Sequence, residues 1–419
     1  MSNNLSEYIS ADQVINNLVL LKNLCFEVTD ACNLACDYCV YRDLYGDHDE
    51  RHGKMMAFQQ AKAIIDFLSS YWISGETGRT KDKTTISFYG GEPLMNMNLI
   101  RDVICYLQEL SIKREFSYSM TTNAILLDKH IDFLADNDFN LLVSLDGDYE
   151  GNGHRKKHNG TNSFPHVFKN LKDAMREYPD YFSKRVRFNV VLHDLNDVET
   201  SMNFIYKEFG SYPNISEINP RGLKKNAIRQ YKEMYKDIEK SISSANNAVA
   251  IQENMGFRFP QTARLIQYLR NESRNYYDGY LSLITGLTCD TPRPAPGTCS
   301  PFAKKMFVTV NGKILQCERI GHEFSLGKVD ETGVHLNPQK VAEEFNRRLR
   351  KMNSFCLVCD KVNSCKKCFY YLENVDSYQP FCPIFGQTHS KDNTSKSIRR
   401  YLSKNPHILQ IIQKGYIIQ

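Results

Sequence analysis

Between residues 22 and 220 the apolar positions alternate between two periods. Short apolar or alternating runs at 24–29, 84–89, 115–122, 139–145, 185–192 and 215–219 have strand length. Between them, at 58–73, 97–110, 128–137, 165–178 and 197–209, apolar residues recur three and four apart, so that Ile64, Ile65, Leu68 and Trp72 share one helix face. Strands separated by helices at these intervals predict right-handed βαβ units and a parallel sheet. Six such units are fewer than the eight that close a TIM barrel. The predicted α/β fold is therefore a partial (β/α)6 TIM-like barrel with its working loops at the C-terminal ends of the strands.

The pattern changes on either side of this block. Residues 1–21 form a polar lead-in with a helical turn series at 11–21. Residues 221–288 read as a charged, tyrosine-rich helical connection, with helices at 228–242 and 261–269. A proline-rich turn at 291–297 lies in a cysteine-rich region, 289–385. That region predicts a β-hairpin at 306–316, in which Asn311-Gly312 supplies the two positive φ angles of a type I′ turn. Residues 386–419 form a basic helical segment in which Lys391, Lys396, Arg399, Arg400, Lys404 and Lys414 face only Asp392, which reads as a solvated face.

Length and composition narrow the class. A chain of 419 residues with 42% hydrophobic and 24% charged residues is globular and too long for one core. The net charge of +5 is too mild to call for nucleic acid. The N-terminus lacks a basic-then-apolar signal, and no uncharged apolar run reaches spanning length, so the expectation is a cytoplasmic protein without a membrane partner. In that compartment thiols stay reduced, so thirteen cysteines argue for metal ligation rather than disulfides.

The densest of these is Cys32-Asn-Leu-Ala-Cys36-Asp-Tyr38-Cys39, directly after the first strand. Three thiolates in eight residues can ligate three irons of a cubane cluster and leave the fourth iron open to chemistry. A structural zinc site or core cysteines remain the alternatives on spacing alone. Three further motifs end strands on the same rim: Gly90-Gly91-Glu92-Pro93, Thr121-Thr122-Asn123 and Ser144-Leu-Asp146-Gly147. Two glycines permit close backbone approach, and Glu92 is an anionic acceptor for an ammonium group.

Together these residues resemble the radical SAM superfamily. Cys32, Cys36, Tyr38 and Cys39 match its CxxxCxΦC motif, where Φ is aromatic, and Gly90, Gly91 and Glu92 match its GGEP motif. The resemblance implies a [4Fe–4S] cluster on the three cysteines that binds S-adenosylmethionine (SAM, also AdoMet), with Glu92 receiving the methionine amino group. Ser144 and Arg155 would contact the SAM carboxylate, and Asn123 sits where many members carry a Thr-Asn-Gly turn. Ala124 replaces that glycine, so a left-handed turn is not expected there.

Cys299, Gly312, Cys317, Cys356, Cys359, Cys365, Cys368 and Cys382 resemble the SPASM domain of peptide-modifying members, with two residues rather than the usual three between Cys365 and Cys368. By that resemblance Cys289, Cys299, Cys317 and Cys368 hold one auxiliary [4Fe–4S] cluster, and Cys356, Cys359, Cys365 and Cys382 hold a second. The remaining two, Cys25 and Cys105, read as core residues.

Sulfatase-maturating members carry a glutamine before GGEP and a catalytic aspartate after the cysteine matching Cys317. Here these are Tyr89 and Glu318, a combination more like maturases of ribosomally made (RiPP) peptides, with Glu318 as general base. The expected activity is a radical SAM peptide maturase, an oxidoreductase that installs a thioether or C–C cross-link in a precursor peptide. An anaerobic sulfatase-maturating enzyme forming formylglycine is the first alternative, and a non-catalytic zinc-binding scaffold is the second. The resemblance further implies an external electron donor of flavodoxin or ferredoxin type. The roughly twenty residues before the first strand leave no room for a leader-binding domain. Leader recognition is therefore expected from a separate small protein, from the basic C-terminal segment or from residues 220–288.

Overall fold

The computed structural model describes residues 9–74, 83–255, 298–356, 359, 367–372, 374–377, 381–382, 400–401, 403–404 and 406. The chain divides into two compact units. The larger comprises Val14–Ala248 and Pro301–Asn337; the smaller comprises Met1–Gln13, Val249–Ser300 and Pro338–Gln419.

In the larger unit six parallel strands run in chain order: β1 (Asn23–Thr29), β2 (Lys83–Gly90), β3 (Glu115–Thr122), β4 (Asn140–Ser144), β5 (Val186–Leu192) and β6 (Asn214–Glu217). Preceded by helix α1 (Ala11–Val19), they alternate with α2 (Phe58–Ser74), α3 (Met97–Glu109), α4 (Ile131–Asp136), α5 (Phe164–Glu177) and α6 (Pro179–Arg185), and α7 (Val198–Phe209) lies between β5 and β6. The expected partial (β/α)6 architecture is present. The apolar stripe of α2 is buried as its spacing predicts, with Ile64, Ile65 and Leu68 fully covered and Trp72 nearly so.

The two faces of the sheet differ in chemistry. One carries Phe26, Phe88, Leu141, Val143, Phe188 and Val190, all buried, and ring pairs such as Phe88 with Phe139 at 5.9 Å and Phe188 with Phe209 at 4.7 Å fill this core. Full burial of each such side chain stabilises by about 1.5–3 kcal/mol. Strand alternation sends the intervening residues to the other, inner face. Register places Cys25, Ser87, Ser119 and Asn140 in one row there. Asn23 Nδ2 donates to Ser87 Oγ at 2.8 Å, and Ser87 and Ser119 share a 2.7 Å hydroxyl contact. Toward the strand ends the same face presents Tyr89, Thr121, Ser144 and Asn189, all half-buried.

Two helix expectations change. Residues 128–137 are a short 3-10 turn (Leu127–Lys129) followed by α4 rather than one helix. Residues 228–242 split into α8 (Ile228–Met234) and α9 (Ile238–Ser243), because Asp237 caps the second by accepting from Lys240 N at 2.8 Å. The predicted helix at 261–269 lies outside the described residues.

The hairpin is present as β7 (Met306–Val308) and β8 (Lys313–Leu315), but its turn is not type I′. Only Gly312 has positive φ, at 84°, and Gly312 N donates to Thr309 O at 2.8 Å while Thr309 N donates to Lys313 O at 2.9 Å. A left-handed glycine after a tight turn is a bulged hairpin loop, which asks nothing unusual of Asn311. β7 also pairs in parallel with β1, and β9 (Gly327–Asp330) and β10 (Gly333–His335) continue the sheet, giving the order β10-β9-β8-β7-β1-β2-β3-β4-β5-β6. Residues 301–337 thus extend the barrel's own sheet.

Helix α10 (Ala248–Met255) buries Ile251 and Met255, and in the smaller unit α11 (Pro338–Cys356) buries Val341, Phe345, Leu349 and Met352. Phe345 packs on Phe369 at 5.2 Å. Among the described residues no helix is long and apolar enough to cross a membrane.

Candidate functional site

The two glycines after β2 are required by backbone contact with the segment that leads into Cys32. A Cβ at Gly90, whose φ is +140°, would lie 2.2 Å from Thr29 O, and one at Gly91 would lie 2.0 Å from Ala31 O. Their absence lets Gly91 N donate to Thr29 O and Glu92 N to Ala31 O, both at 2.9 Å.

Glu92, 1% exposed, then laces β2 to β3. Oε1 accepts from Thr122 Oγ1 at 2.6 Å and Leu94 N at 3.2 Å, and Oε2 accepts from Asn123 N at 2.7 Å. Burial pushes its carboxyl up to about 7. Three internal donors leave about one of the roughly four lone-pair sites of a carboxylate for an outside ammonium.

Asn123 reaches back to the cysteine loop, with Nδ2 donating to Asn33 Oδ1 at 2.7 Å and lying 3.8 Å from Cys32 Sγ. Contrary to expectation, the next residue does turn left-handed: Ala124 has φ 60°. A non-glycine residue there costs roughly 1–2 kcal/mol, and surrounding bonds hold it. Thr122 Oγ1 accepts from Ala124 N and Asn123 Oδ1 from Ile125 N, each at 3.0 Å, while Asn170 Nδ2 donates to the carbonyls of Ala124 and Ile125, also at 3.0 Å.

Cys32, Cys36 and Cys39 are half-buried thiols on one loop. Burial pushes the Cys32 thiol up to about 11 and Cys36 up to about 12, so without a metal both stay protonated, and a bound cation is what makes them thiolates. A second segment clamps this loop. Ala35 N donates to Lys156 O at 2.6 Å, Asp37 N donates to His154 O at 3.0 Å, and His158 Nε2 lies 2.8 Å from Cys32 O. Three soft thiol donors on one loop, none in a disulfide and set beside a glycine-lined bend, have the chemistry of an iron–sulfur site.

Tyr38 turns into the wall. Its hydroxyl donates to Asp146, and its ring lies 5.6 Å from that of His193. Arg155, expected to face a ligand carboxylate, makes its bidentate pair inside the protein. Nε and Nη2 donate to the two oxygens of Asp146 at 2.9 and 3.0 Å, while Nη1 makes no hydrogen bond among the described residues. Burial alone would raise Asp146, but the Arg155 guanidinium and His193 hold it down to about 2. Ser144 ends β4 opposite Asn189 on the inner face, half-buried.

Across that face, Glu318 Oε2 accepts from Lys305 Nζ at 2.9 Å and lies 3.7 Å from Cys317 Sγ. Burial pushes this carboxyl up, but the Lys305 ammonium outweighs it and holds the group below the usual range. Nearby, Tyr89 packs between Phe307 at 6.2 Å and Tyr41 at 6.3 Å, and Arg51 covers Tyr41 at 3.5 Å while pairing with Glu27 at 2.7 Å.

Sequence reading placed Asp146 in a rim motif without giving it a role, and it missed Lys305 and the Glu27–Arg51 pair. A charged residue directly after the apolar run of β4 was the available signal for Asp146. Cys25 is buried as expected, but Cys105 is exposed on α3, not in the core. Cys317 belongs to the larger unit, and Cys299, Cys356, Cys359, Cys368 and Cys382 belong to the smaller. Within the smaller unit Phe369 N donates to Thr298 Oγ1 at 2.9 Å, joining the neighbours of Cys368 and Cys299. Cys289 and Cys365 lie outside the described residues.

Residues 26–205 match the family model described as the radical SAM superfamily. Among curated relatives, an uncharacterized Methanocaldococcus jannaschii protein is 32% identical over 128 residues, 30% of this chain and 39% of that protein. The radical SAM cyclopropyl synthase TigE of Paramaledivibacter caminithermalis is 26% identical over 47% of this chain and 40% of its own length. A cysteine-type anaerobic sulfatase-maturating enzyme of Clostridium novyi is 25% identical over 42% and 45%. The matches thus span less than half the length of these relatives. Native anSMEcpe with bound AdoMet and a peptide shares the fold, with TM-score 0.56 at 16% identity over 94% of this chain and 99% of that one. Matched over 26–205 and bearing the cysteine loop where β1 ends, this chain carries a domain of the radical SAM superfamily.

Proposed function

We propose that this chain is a radical SAM peptide maturase that installs a thioether or C–C cross-link in a ribosomally made precursor peptide. The observation that carries the reading is the chemistry of the inner wall beside the cysteine loop. There Lys305 is paired with Glu318 and Arg51 with Glu27, and the aromatic rings of Tyr41, Tyr89 and Phe307 pack in series. A nucleotide triphosphate would call for unpaired Arg or Lys toward its phosphates, whereas a neutral aromatic wall suits peptide backbone and side chains. The SPASM-like cysteine pattern supports the same reading.

Cys32, Cys36 and Cys39 would hold the cluster that binds SAM. When bound, cluster and SAM supply a 5′-deoxyadenosyl radical that takes a hydrogen atom from a substrate carbon. Closing the cross-link then removes one further electron and one proton from the peptide. Glu318, kept ionised by Lys305, would accept that proton. Cys289, Cys299, Cys317 and Cys368, with Cys356, Cys359, Cys365 and Cys382, would hold two auxiliary clusters, which would take up the electron removed from the peptide.

The test is anaerobic reaction of the iron-loaded protein with SAM, a reductant and the precursor peptide encoded beside this gene, read by mass spectrometry. Loss of two hydrogens per modification, mapped to a new bond, supports the proposal. Unmodified peptide together with an aldehyde from a Cys-x-Pro-x-Arg peptide replaces it with formylglycine formation. Colourless protein containing zinc replaces both with a scaffold. Peptide affinity that survives deletion of 397–419 removes the basic segment from leader recognition.

A further inference from the structure

One buried carboxylate gathers more of the cysteine loop's support than any residue of the motif itself. Asp146 is fully buried where β4 ends. Its side chain accepts from three groups on separate parts of the chain. These are the Tyr38 hydroxyl, Arg155 Nε and Nη2 at 2.9 and 3.0 Å, and Val191 N of β5 at 2.9 Å, while His193 Nε2 lies 3.5 Å away. Its backbone is pinned as well: Asn196 Nδ2 and Ser201 Oγ donate to its carbonyl at 2.9 and 3.2 Å. The carboxylate therefore cannot follow its partners if they move. They must come to it.

Two of those partners control the triad. Tyr38 lies between Cys36 and Cys39 in sequence, so its hydroxyl anchor sets the direction in which that half of the loop faces. Arg155 lies between His154 and Lys156, whose carbonyls receive Asp37 N and Ala35 N. The guanidinium sits 5.5 Å over the Tyr38 ring and spends two of its three nitrogens on Asp146, leaving Nη1 unengaged among the described residues. A fork held on one edge presents its remaining edge in one direction, which is how a guanidinium is preorganised for a second carboxylate.

We propose that Asp146 is a positioning residue for the cluster site, holding Tyr38 toward the cysteine loop and aiming the free edge of Arg155 at the carboxylate of the bound sulfonium ligand. It acts through these two residues and touches no reacting atom. This inference rests on the radical SAM assignment and is independent of the peptide.

The two halves are separable. Asp146→Asn keeps size and a carbonyl acceptor for Tyr38 but loses the charge and one of the two acceptors that grip Arg155. Tyr38→Phe keeps the ring and the Asp146–Arg155 pair and loses only the hydroxyl anchor. Each full-length variant is loaded with iron, reduced with dithionite and titrated with SAM, following the ligand-induced change in the cluster's EPR signal. Cys32→Ser identifies which part of the signal belongs to the triad.

Asp146→Asn is expected to weaken SAM binding at least tenfold while retaining the ligand-free triad signal. Tyr38→Phe is expected to bind SAM within threefold of the parent but to alter the triad's g-values and reduction potential. A role in folding alone would leave both readouts unmoved in whatever fraction folds. SAM affinity within twofold of the parent in Asp146→Asn overturns the aiming of Arg155, and an unchanged signal and potential in Tyr38→Phe overturn the anchor. If Asp146→Asn does not fold, Asp146→Glu, which keeps the charge but shifts the grip on Arg155 by one methylene, is titrated in its place with the same expected loss and the same overturning result. A parent that shows no triad signal overturns the cluster assignment and this inference with it, whereas a normal triad signal with no peptide product refutes only the peptide reading.

Discussion

Gly91→Ala isolates the contact that joins the end of β2 to the entrance of the cysteine loop. Gly91 φ lies outside the left-handed region, so the substitution adds one methyl and no backbone strain. That methyl would sit 2.0 Å from Ala31 O and 2.5 Å from Ala31 C, well inside ordinary contact at 3.4 Å. Both partners are backbone, so no flexible side chain can yield. Overpacking of this kind costs about 1–3 kcal/mol. Separation of the strands would also lengthen the bonds from Gly91 N to Thr29 O and from Glu92 N to Ala31 O, each worth about 1 kcal/mol.

The expected destabilisation is about 2–5 kcal/mol, which lowers a melting midpoint by about 5–15 °C for a unit of this size. Because Ala31 immediately precedes Cys32, iron retained per chain should fall as well. Gly53→Ala is the control: φ is +75° with nothing within 4 Å of the new methyl, so only the left-handed backbone is penalised, by about 1–2 kcal/mol. Thermal melts and iron content of both variants decide the matter. Gly91→Ala melting within a few degrees of the parent with undiminished iron would refute the close-approach account.

Glu92, near 7 in the folded chain against 4.5 for a free glutamate, holds its proton more tightly when folded. The stability this contributes is complete below about pH 4.5 and is lost as pH rises through about 7. Relative to Glu92→Gln, which does not ionise, the parent should therefore lose up to about 3 kcal/mol across that window in urea melts; a constant difference between the two would speak against the buried acid. Asn170→Ala strips the donor from two buried carbonyls and should cost about 1–3 kcal/mol, with an unchanged melt counting against its role in holding Ala124. Cys32→Ser should abolish SAM cleavage, followed by chromatography of 5′-deoxyadenosine, while iron outside the triad remains; retained cleavage would remove Cys32 from the cluster. Native-state thiol labelling should modify exposed Cys105 rapidly and reach buried Cys25 only after unfolding.

The strands of the barrel were legible because each is a short run whose burial alternates or saturates within the run itself. β1 through β5 begin and end within a residue or so of the expected positions, and β6 is slightly shorter than expected. The break between α8 and α9 was not, since an apolar stripe continues across it and only the cap at Asp237 interrupts the backbone. Ala124 shows the limit of residue preference: the rule that a left-handed turn wants glycine is outweighed by four hydrogen bonds from Thr122, Asn123 and Asn170.

What the sequence by itself determined was the chemistry carried at short range: three thiols eight residues deep in one loop, two glycines before a glutamate, and a six-fold strand–helix alternation that places these motifs on one rim. Only the tertiary structure decided whom the charges serve. Glu92 laces β3 and Lys305 neutralises Glu318, while the hairpin at 306–316 joins the barrel's sheet and Arg155 is gripped along one edge by Asp146. Spacing along a chain encodes the contacts made within a turn or a strand. A buried charge takes its partner from whatever strand the closed sheet sets beside it, and that neighbour is fixed by register across the sheet, not by distance along the sequence.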